Sequence, residues 1–202
     1  MTKKLIIGLT GPMAGGKGIV AEYLKKKGFY YSSTSERVRE ECRKRGIEIS
    51  RDSLQNVADE LRRKFGPEVL AKRTWNIVKK YPLAAIDSIR GVAEVDFLKT
   101  RSNFVRNKVL AKRGSYFYLI GVTAPRKIRY QRLAERKRES DPITWKEFLA
   151  ADKKDFKSGQ GKFGRNITAC LKKADLLLYN NKTLKQLEKK VEKVLGKILD
   201  KK

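Results

Sequence analysis

The chain has 202 residues, 40% of them apolar, which suits one domain with its own core and argues against disorder. It carries 49 Lys and Arg against 22 Asp and Glu, a formal net charge of +27, and no His. His-based acid/base chemistry and His-containing zinc sites are therefore excluded, and Cys42 and Cys170 fit no metal spacing.

Leu5 to Thr10 is an apolar run with β-branched Ile6 and Ile7, closed by Gly11-Pro12, and reads as a buried strand followed by a turn. Ile19, Val20, Tyr23 and Leu24 then have helical spacing, which predicts a helix over Lys17 to Lys27 that stops at Gly28. Phe29 to Tyr31 is a short second strand. The stretch SSTSERVREECRKRG offers Ser and Thr caps with Glu36 in the first turn of a basic helix ending at Gly46. Asp52 to Phe65 and Glu68 to Lys80 are amphipathic helices parted by Gly66-Pro67. Leu83 to Asp87 (LAAID), Ser115 to Val122 (SYFYLIGV) and Asp175 to Tyr179 (DLLLY) are further apolar runs. Between them, Asn103 to Gly114 is basic and reads as an extra turn of helix or as a surface loop. Leu184, Leu187, Val191, Val194, Leu195 and Ile198 recur at threes and fours and predict a closing amphipathic helix.

Strands apolar at nearly every position, alternating with helices, indicate a parallel sheet covered on both faces. The expected class is α/β, one three-layer domain over residues 1–202 with about five strands. The first residues carry too short an apolar run for a signal peptide and no segment approaches a membrane span, so the expectation is a cytoplasmic protein with no membrane partner.

The chemistry concentrates at GPMAGGKGI. The spacing Gly11-x-x-x-x-Gly16-Lys17, with strand before and helix after, lets backbone N–H groups converge on phosphate oxygens beside a helix N-terminus while Lys17 reaches the β and γ phosphates. Gly11, Met13, Ala14, Gly15, Gly16, Lys17, Gly18 and Ile19 are the expected nucleotide-binding positions. The Ser or Thr that usually follows the Lys to hold Mg²⁺ is missing, since Gly18 and Ile19 stand there. Mg²⁺ commonly keeps several waters, so an acid acting through water can support it, and Asp87 sits at a strand's C-terminal end, where open α/β sheets bind ligands. Three Arg groups stand out: Arg37 and Arg39 after STS, Arg90 just past Asp87, and Arg126, Arg129, Arg132 and Arg136 in one basic helix. At 100° per residue these last four span about 120° of arc and can face one target.

GPMAGGKGI resembles the loop variant of the adenylate kinase family, in which Gly follows the Lys and Thr comes next, with Ala14 in place of a Gly and Ile19 in place of the Thr. Taken with SSTSERVREE, AAIDSIRGVAEV and VTAPRKIRYQRLAERKRESDP, nearly the whole chain resembles the P-loop nucleoside monophosphate kinases. It looks closest to the dephospho-CoA kinase-like and deoxynucleoside monophosphate kinase-like proteins of archaea and bacteria. The resemblance implies ATP and Mg²⁺ as cofactors, and Thr34, Arg39 and Arg90 on the acceptor, Arg90 resting on a partial match. It also implies Arg132 and Arg136 on the transferring phosphoryl group and Asn180 near the base. A helical acceptor-binding segment over about 33–80 and a short lid over about 137–165 follow, with Glu139 to Thr144 at the lid and Ser158 to Asn166 as a mobile loop.

The expected reaction is transfer of the γ-phosphoryl group of ATP to a small phosphorylated acceptor. Lys17, Asp87, Arg132 and Arg136 carry the chemistry, and Glu36 is the nearest base for a hydroxyl acceptor. The net charge leaves open a nucleic-acid-associated ATP-binding protein, with non-specific nucleic-acid contact expected from charge alone, and an inactive structural relative is a third reading.

Overall fold

The computed structural model describes residues 4–102, 115–136, 144–156 and 163–199. Five strands, β1 (Lys4–Thr10), β2 (Tyr30–Ser33), β3 (Leu83–Ile89), β4 (Ser115–Thr123) and β5 (Leu176–Tyr179), form one parallel sheet in the order β2-β3-β1-β4-β5. The second strand starts one residue later than its sequence suggests, because Phe29 turns into the core instead. Residues 103–114 lie outside the described residues.

Alternation along the central strand β1 builds both faces. Leu5, Ile7 and Leu9 pack with Val20 and Leu24 of α1 (Lys17–Lys26) and with Leu187, Val191, Leu195 and Ile198 of α9 (Leu184–Leu199). Ile6 points the other way, toward Ile86, Phe117, and Val95 and Leu98 of α5 (Val92–Ser102). Both faces are thus apolar, as a parallel sheet between helical layers requires. A smaller cluster, Val38, Cys42, Val57, Leu61, Val69 and Leu70, joins α2 (Thr34–Lys44), α3 (Arg51–Phe65) and α4 (Val69–Val78). These three helices stand over the C-terminal end of β2 and β3 and supply one wall of the cleft described below.

The remaining elements are α6 (Arg126–Arg136), α7 (Trp145–Phe156) and α8 (Ile167–Lys172). The sequence pattern does not announce α5, α7 or α8. In α5 the apolar residues are scattered around the helix, and α8 is only six residues long. Within the segment expected to be a lid, α7 packs as a helix against the start of the chain: Phe148 and Ala151 meet Leu133 of α6 and Met13. Among the described residues no helix is long and apolar enough to cross a membrane.

A buried ion pair joins α6 to α7. Arg129 is 1% exposed and donates from Nη1 and Nη2 to the two oxygens of Asp152, which is fully buried, the second bond at 2.9 Å. Its Nε reaches the Ala124 carbonyl at 3.0 Å, and the rings of Phe148 and Phe156 flank the guanidinium. Arg126 adds a bond to Asp152 Oδ2 at 3.0 Å. Removing one partner of such a pair leaves a charge stranded away from water. Asp152→Asn is expected to cost about 3–5 kcal/mol of stability, lowering Tm by roughly 10 °C in a chain of this size. Thermal unfolding followed by circular dichroism measures it, and a shift under about 2 °C would refute the assignment.

Candidate functional site

The loop after β1 is shaped by close backbone approaches. Gly11 has φ 140°, and a Cβ there would lie 2.0 Å from the Val122 carbonyl oxygen; at Gly16, φ 111°, it would lie 2.3 Å from Asn180 Nδ2. Only glycine fits either place. Gly16 caps α1 without a side-chain bond; the Ile19 amide already donates to the Gly16 carbonyl at 3.1 Å, which leaves the Lys17 and Gly18 N–H groups for an anion. Ala14 takes φ 53°, in the left-handed region, so its methyl is carried at a strained position in the turn. Gly18 differs from the other two: a Cβ built there meets nothing within 4 Å, so the missing hydroxyl is not a steric necessity. Ile19 packs its side chain on the core.

Lys17 is buried and donates to the carbonyls of Gly11 at 2.7 Å and Pro12 at 2.9 Å. Burial pushes its pKa down to about 8, partly opposed by the Asp87 carboxylate. Asp87 reaches the cleft through a break in strand register: Gly8 pairs with Ile86, but Thr10 pairs with Ile89, and Ser88 takes φ 65°. The resulting bulge re-aims the strand end. Asp87 Oδ1 accepts from the Ser88 amide, and Oδ2 accepts from the Tyr31 hydroxyl at 3.0 Å. Burial, then the Asp87 charge, hold the Tyr31 phenol above its ordinary pKa, so it stays a donor. Thr34 braces the same bulge, donating to the Ser88 carbonyl at 2.6 Å.

Opposite the loop stands a buried charge cluster. Asp155 of α7 accepts at Oδ1 from Arg90 at 2.8 Å and from Arg165 at 3.2 Å. Glu94, fully buried at the start of α5, accepts from the Arg90 and Gly91 amides at 2.9 and 3.0 Å and pairs with Arg62 at 3.1 Å. Loop and cluster face each other across one cleft of about 890 Å³. Ten basic and four acidic side chains line it, a surplus of positive charge that attracts anions.

Of the expected positions, Met13 to Ile19, Thr34, Arg39, Asp87, Arg90, Arg132 and Arg136 all line this cleft. Arg39 bonds Ser35 at 3.3 Å, and Arg132 reaches the Asn180 carbonyl at 3.0 Å. Glu36, expected as a base, lines the cleft but pairs with Arg43 at 2.8 Å. Gly11 lies behind the loop, in its turn. Four arginines of α6 facing one target is corrected: Arg126 and Arg129 are committed to Asp152, and only Arg132 and Arg136 line the cleft. Asn180, expected near the base, stands beneath the loop. It is 2% exposed, lies outside the cleft lining, and holds the Gly15 carbonyl from beneath at 3.2 Å.

The expected lid tip, residues 139–143, and most of the expected mobile loop, residues 158–162, lie outside the described residues. The end of that loop is pinned, with Arg165 on Asp155 and the Asn166 amide on the Arg90 carbonyl at 2.8 Å. Sequence reasoning missed Asp155, Arg165, Arg62 and Arg51, which also line the cleft. The available signal was WKEFLAADKKDF, where Asp152 and Asp155 stand three apart on the face that carries Phe148.

Residues 7–155 match the family model described as an AAA domain. A UPF0200 protein of Pyrococcus horikoshii is 33% identical, with 96% of this chain and 98% of the relative covered. Another UPF0200 protein, from Thermococcus gammatolerans, is 31% identical over 96% of each. Among solved structures, shikimate kinase from Acinetobacter baumannii in complex with shikimate aligns with TM-score 0.54 at 16% identity, covering all of this chain and 96% of that one. A putative kinase from Chloroflexus aurantiacus has TM-score 0.54 at 13% identity, covering 96% and 98%. The chain belongs to the AAA-domain family and, within it, to the UPF0200 proteins, and its fold is the α/β P-loop kinase fold.

Ala14→Gly removes the methyl from a left-handed position and is expected to stabilise the chain by about 1 kcal/mol. Urea unfolding reads it as a raised midpoint at unchanged m; a lowered midpoint would show that the turn is not strained as described.

Proposed function

We propose that this UPF0200 protein is a small-molecule kinase, moving the γ-phosphoryl group of ATP to a small phosphorylated acceptor. Nucleoside and deoxynucleoside monophosphates and dephospho-CoA are the candidates. The observation that carries the reading is a cleft in which Lys17 and the opening amides of α1 face Arg90 and its neighbours across Asp87. Its volume of about 890 Å³ is that of a small-ligand site.

Phosphoryl transfer asks little covalent chemistry of a protein and much positioning and charge neutralisation. In this reading the loop amides and Lys17 hold the donor phosphates. Arg39 and Arg90 orient the acceptor, and Arg132 and Arg136 meet the charge on the group in flight. The chain's contribution to Mg²⁺ would be Asp87 acting through water, since no hydroxyl follows Lys17 to bind the ion directly and Mg²⁺ usually keeps several waters. Magnesium bound with the nucleotide supplies Lewis-acid stabilisation of the phosphate charge.

The second reading, an ATP-binding protein that contacts nucleic acid, draws its support from the net charge of +27. It predicts polynucleotide binding with a steep salt dependence together with nucleic-acid-stimulated ATP hydrolysis.

With Mg-ATP and a panel of nucleoside and deoxynucleoside monophosphates and dephospho-CoA, the protein is expected to release ADP only when an acceptor is present. Lys17→Ala should lose that release by at least about 100-fold. Release that ignores the acceptor, or survives in Lys17→Ala, sinks the kinase reading.

Nucleotide binding should also be linked to protons. Phosphates favour the charged Lys17 and raise its pKa from about 8. Above pH 8 the free lysine is largely neutral, so binding takes up a proton and affinity falls, up to about tenfold per pH unit. Below pH 8 both states are charged and this effect vanishes. Calorimetry in buffers of different ionisation enthalpy measures the uptake, which should disappear in Lys17→Ala.

A further inference from the structure

Four buried side-chain atoms of residues lining the cleft have no hydrogen-bond partner among the described residues: Asp155 Oδ2 and the Nε atoms of Arg37, Arg62 and Arg165. Unpartnered buried polar groups are costly, and one acceptor among three donors describes the complement of a ligand that offers both a proton and an anion. Resting on the kinase reading, we propose that Asp155 takes the hydroxyl of the acceptor. The acceptor is then an anion bearing a nucleophilic hydroxyl, and the product is a phosphate monoester.

The carboxylate is divided in a way that suits this task. Oδ1 is spent on Arg90 at 2.8 Å and Arg165 at 3.2 Å, which fix the plane of the group. Oδ2 is left for the ligand, because Arg51 Nη2, at 3.9 Å, is beyond hydrogen-bond reach. Burial works to raise the Asp155 pKa, but Arg90, Arg51 and Arg165 together hold it below the usual carboxylate range, so it meets the ligand ionised. Asp155 and Lys17 line the same cleft, so the hydroxyl subsite opens onto the space that Lys17 faces.

Asp155 is also not free to withdraw. Three residues earlier on the same helix, Asp152 is bonded through both oxygens to Arg129, and Phe148 is fully buried against Met13 and Leu133. An acceptor that attacks through its own phosphate would carry negative charge against a fixed carboxylate. One that attacks through a hydroxyl gives that carboxylate the donor it lacks. The guanidinium groups of Arg62 and Arg165 then take the anionic group of the same molecule.

In the step, the acceptor oxygen forms a bond to the γ-phosphorus while the bond from that phosphorus to the β,γ-bridging oxygen breaks. The electron pair leaves on ADP, and the hydroxyl proton passes to Asp155 Oδ2 and then to solvent. General-base assistance contributes about 10²–10⁴-fold, and a carboxylate held below its ordinary range stands at the low end.

The test uses the full chain with Mg-ATP and two probe sets, nucleoside monophosphates and hydroxyl-bearing anions, namely sugar phosphates and dephospho-CoA. Phosphorus NMR then identifies the new bond. A phosphate monoester is expected, with kcat lowered about 100-fold or more in Asp155→Asn. ATP affinity should change by less than about twofold, and Asp155→Glu should recover part of the rate. Binding of the acceptor and of its deoxy analogue, each to protein holding a non-hydrolysable ATP analogue, is measured alongside. The hydroxyl should improve affinity by about tenfold in the wild type and not in Asp155→Asn.

A phosphoanhydride product overturns the acceptor assignment and leaves the kinase reading standing. So does an Asp155→Asn protein that turns over monophosphates faster, since Asp155 would then be only a displaceable stand-in for a phosphate. Hydroxyl-selective binding without turnover keeps the subsite and removes the kinase reading. The product made by the wild type does not depend on whether any variant folds.

Discussion

The packing over the cleft depends on three carboxylates that have almost no contact with water. Ten basic side chains line one cavity, and two unit charges 4 Å apart in such surroundings repel by about 4 kcal/mol. Asp155 and Glu94 offset that repulsion, and they and Asp152 each stand where two or more elements meet. Asp155 gathers Arg90 from the end of β3 and Arg165 from the approach to α8 onto α7. Glu94 gathers Arg62 from α3 while accepting the amides that open α5. Asp152 fastens α7 to α6. At Asp155 and Glu94 the charges that would attract a ligand are therefore also the charges that assemble the walls around it, and loss of either acid frees cations as well as a helix contact.

Strain is concentrated at the same place. Ala14 and Ser88 take positive φ among the described non-glycine residues, one in the phosphate loop and one in the bulge of β3. Each costs about 1–2 kcal/mol, which the closely packed sheet is able to carry. What the strain achieves is geometric. The turn at Ala14 brings the loop carbonyls round Lys17, and the bulge at Ser88 sends Asp87 into the cleft instead of along the strand. Thr34 and Tyr31 hold that bulge from β2 and α2, so the two sides of the cleft are mechanically joined through it.

The loop and the sheet were legible because their signals are local. A strand needs only apolar residues in sequence, and the loop needs glycines at fixed offsets, where backbone approaches as close as 2.0 Å would exclude a side chain. Arg132 and Arg136 were placed in the cleft by helical spacing, but spacing did not separate them from Arg126 and Arg129. That distinction came from Asp152, on a helix that the pattern of α7 did not announce. Asn180 meets the same limit, since a polar residue after a strand says nothing of whether it faces a ligand or supports a turn, and only the structure shows its bond to the Gly15 carbonyl.

The amino-acid sequence by itself determined the α/β class, the phosphate loop with Lys17, the absence of a hydroxyl after it and the surplus of positive charge. All of these follow from residue identity and short-range periodicity. Only the tertiary structure decided which arginines are structural and which line the cleft, and it alone brought Asp155 and Arg165 together with Arg90, 65 residues from Asp155 in the chain. A charge is identified by its residue, but its partner is chosen by packing, and packing over such separations leaves no local mark on the sequence.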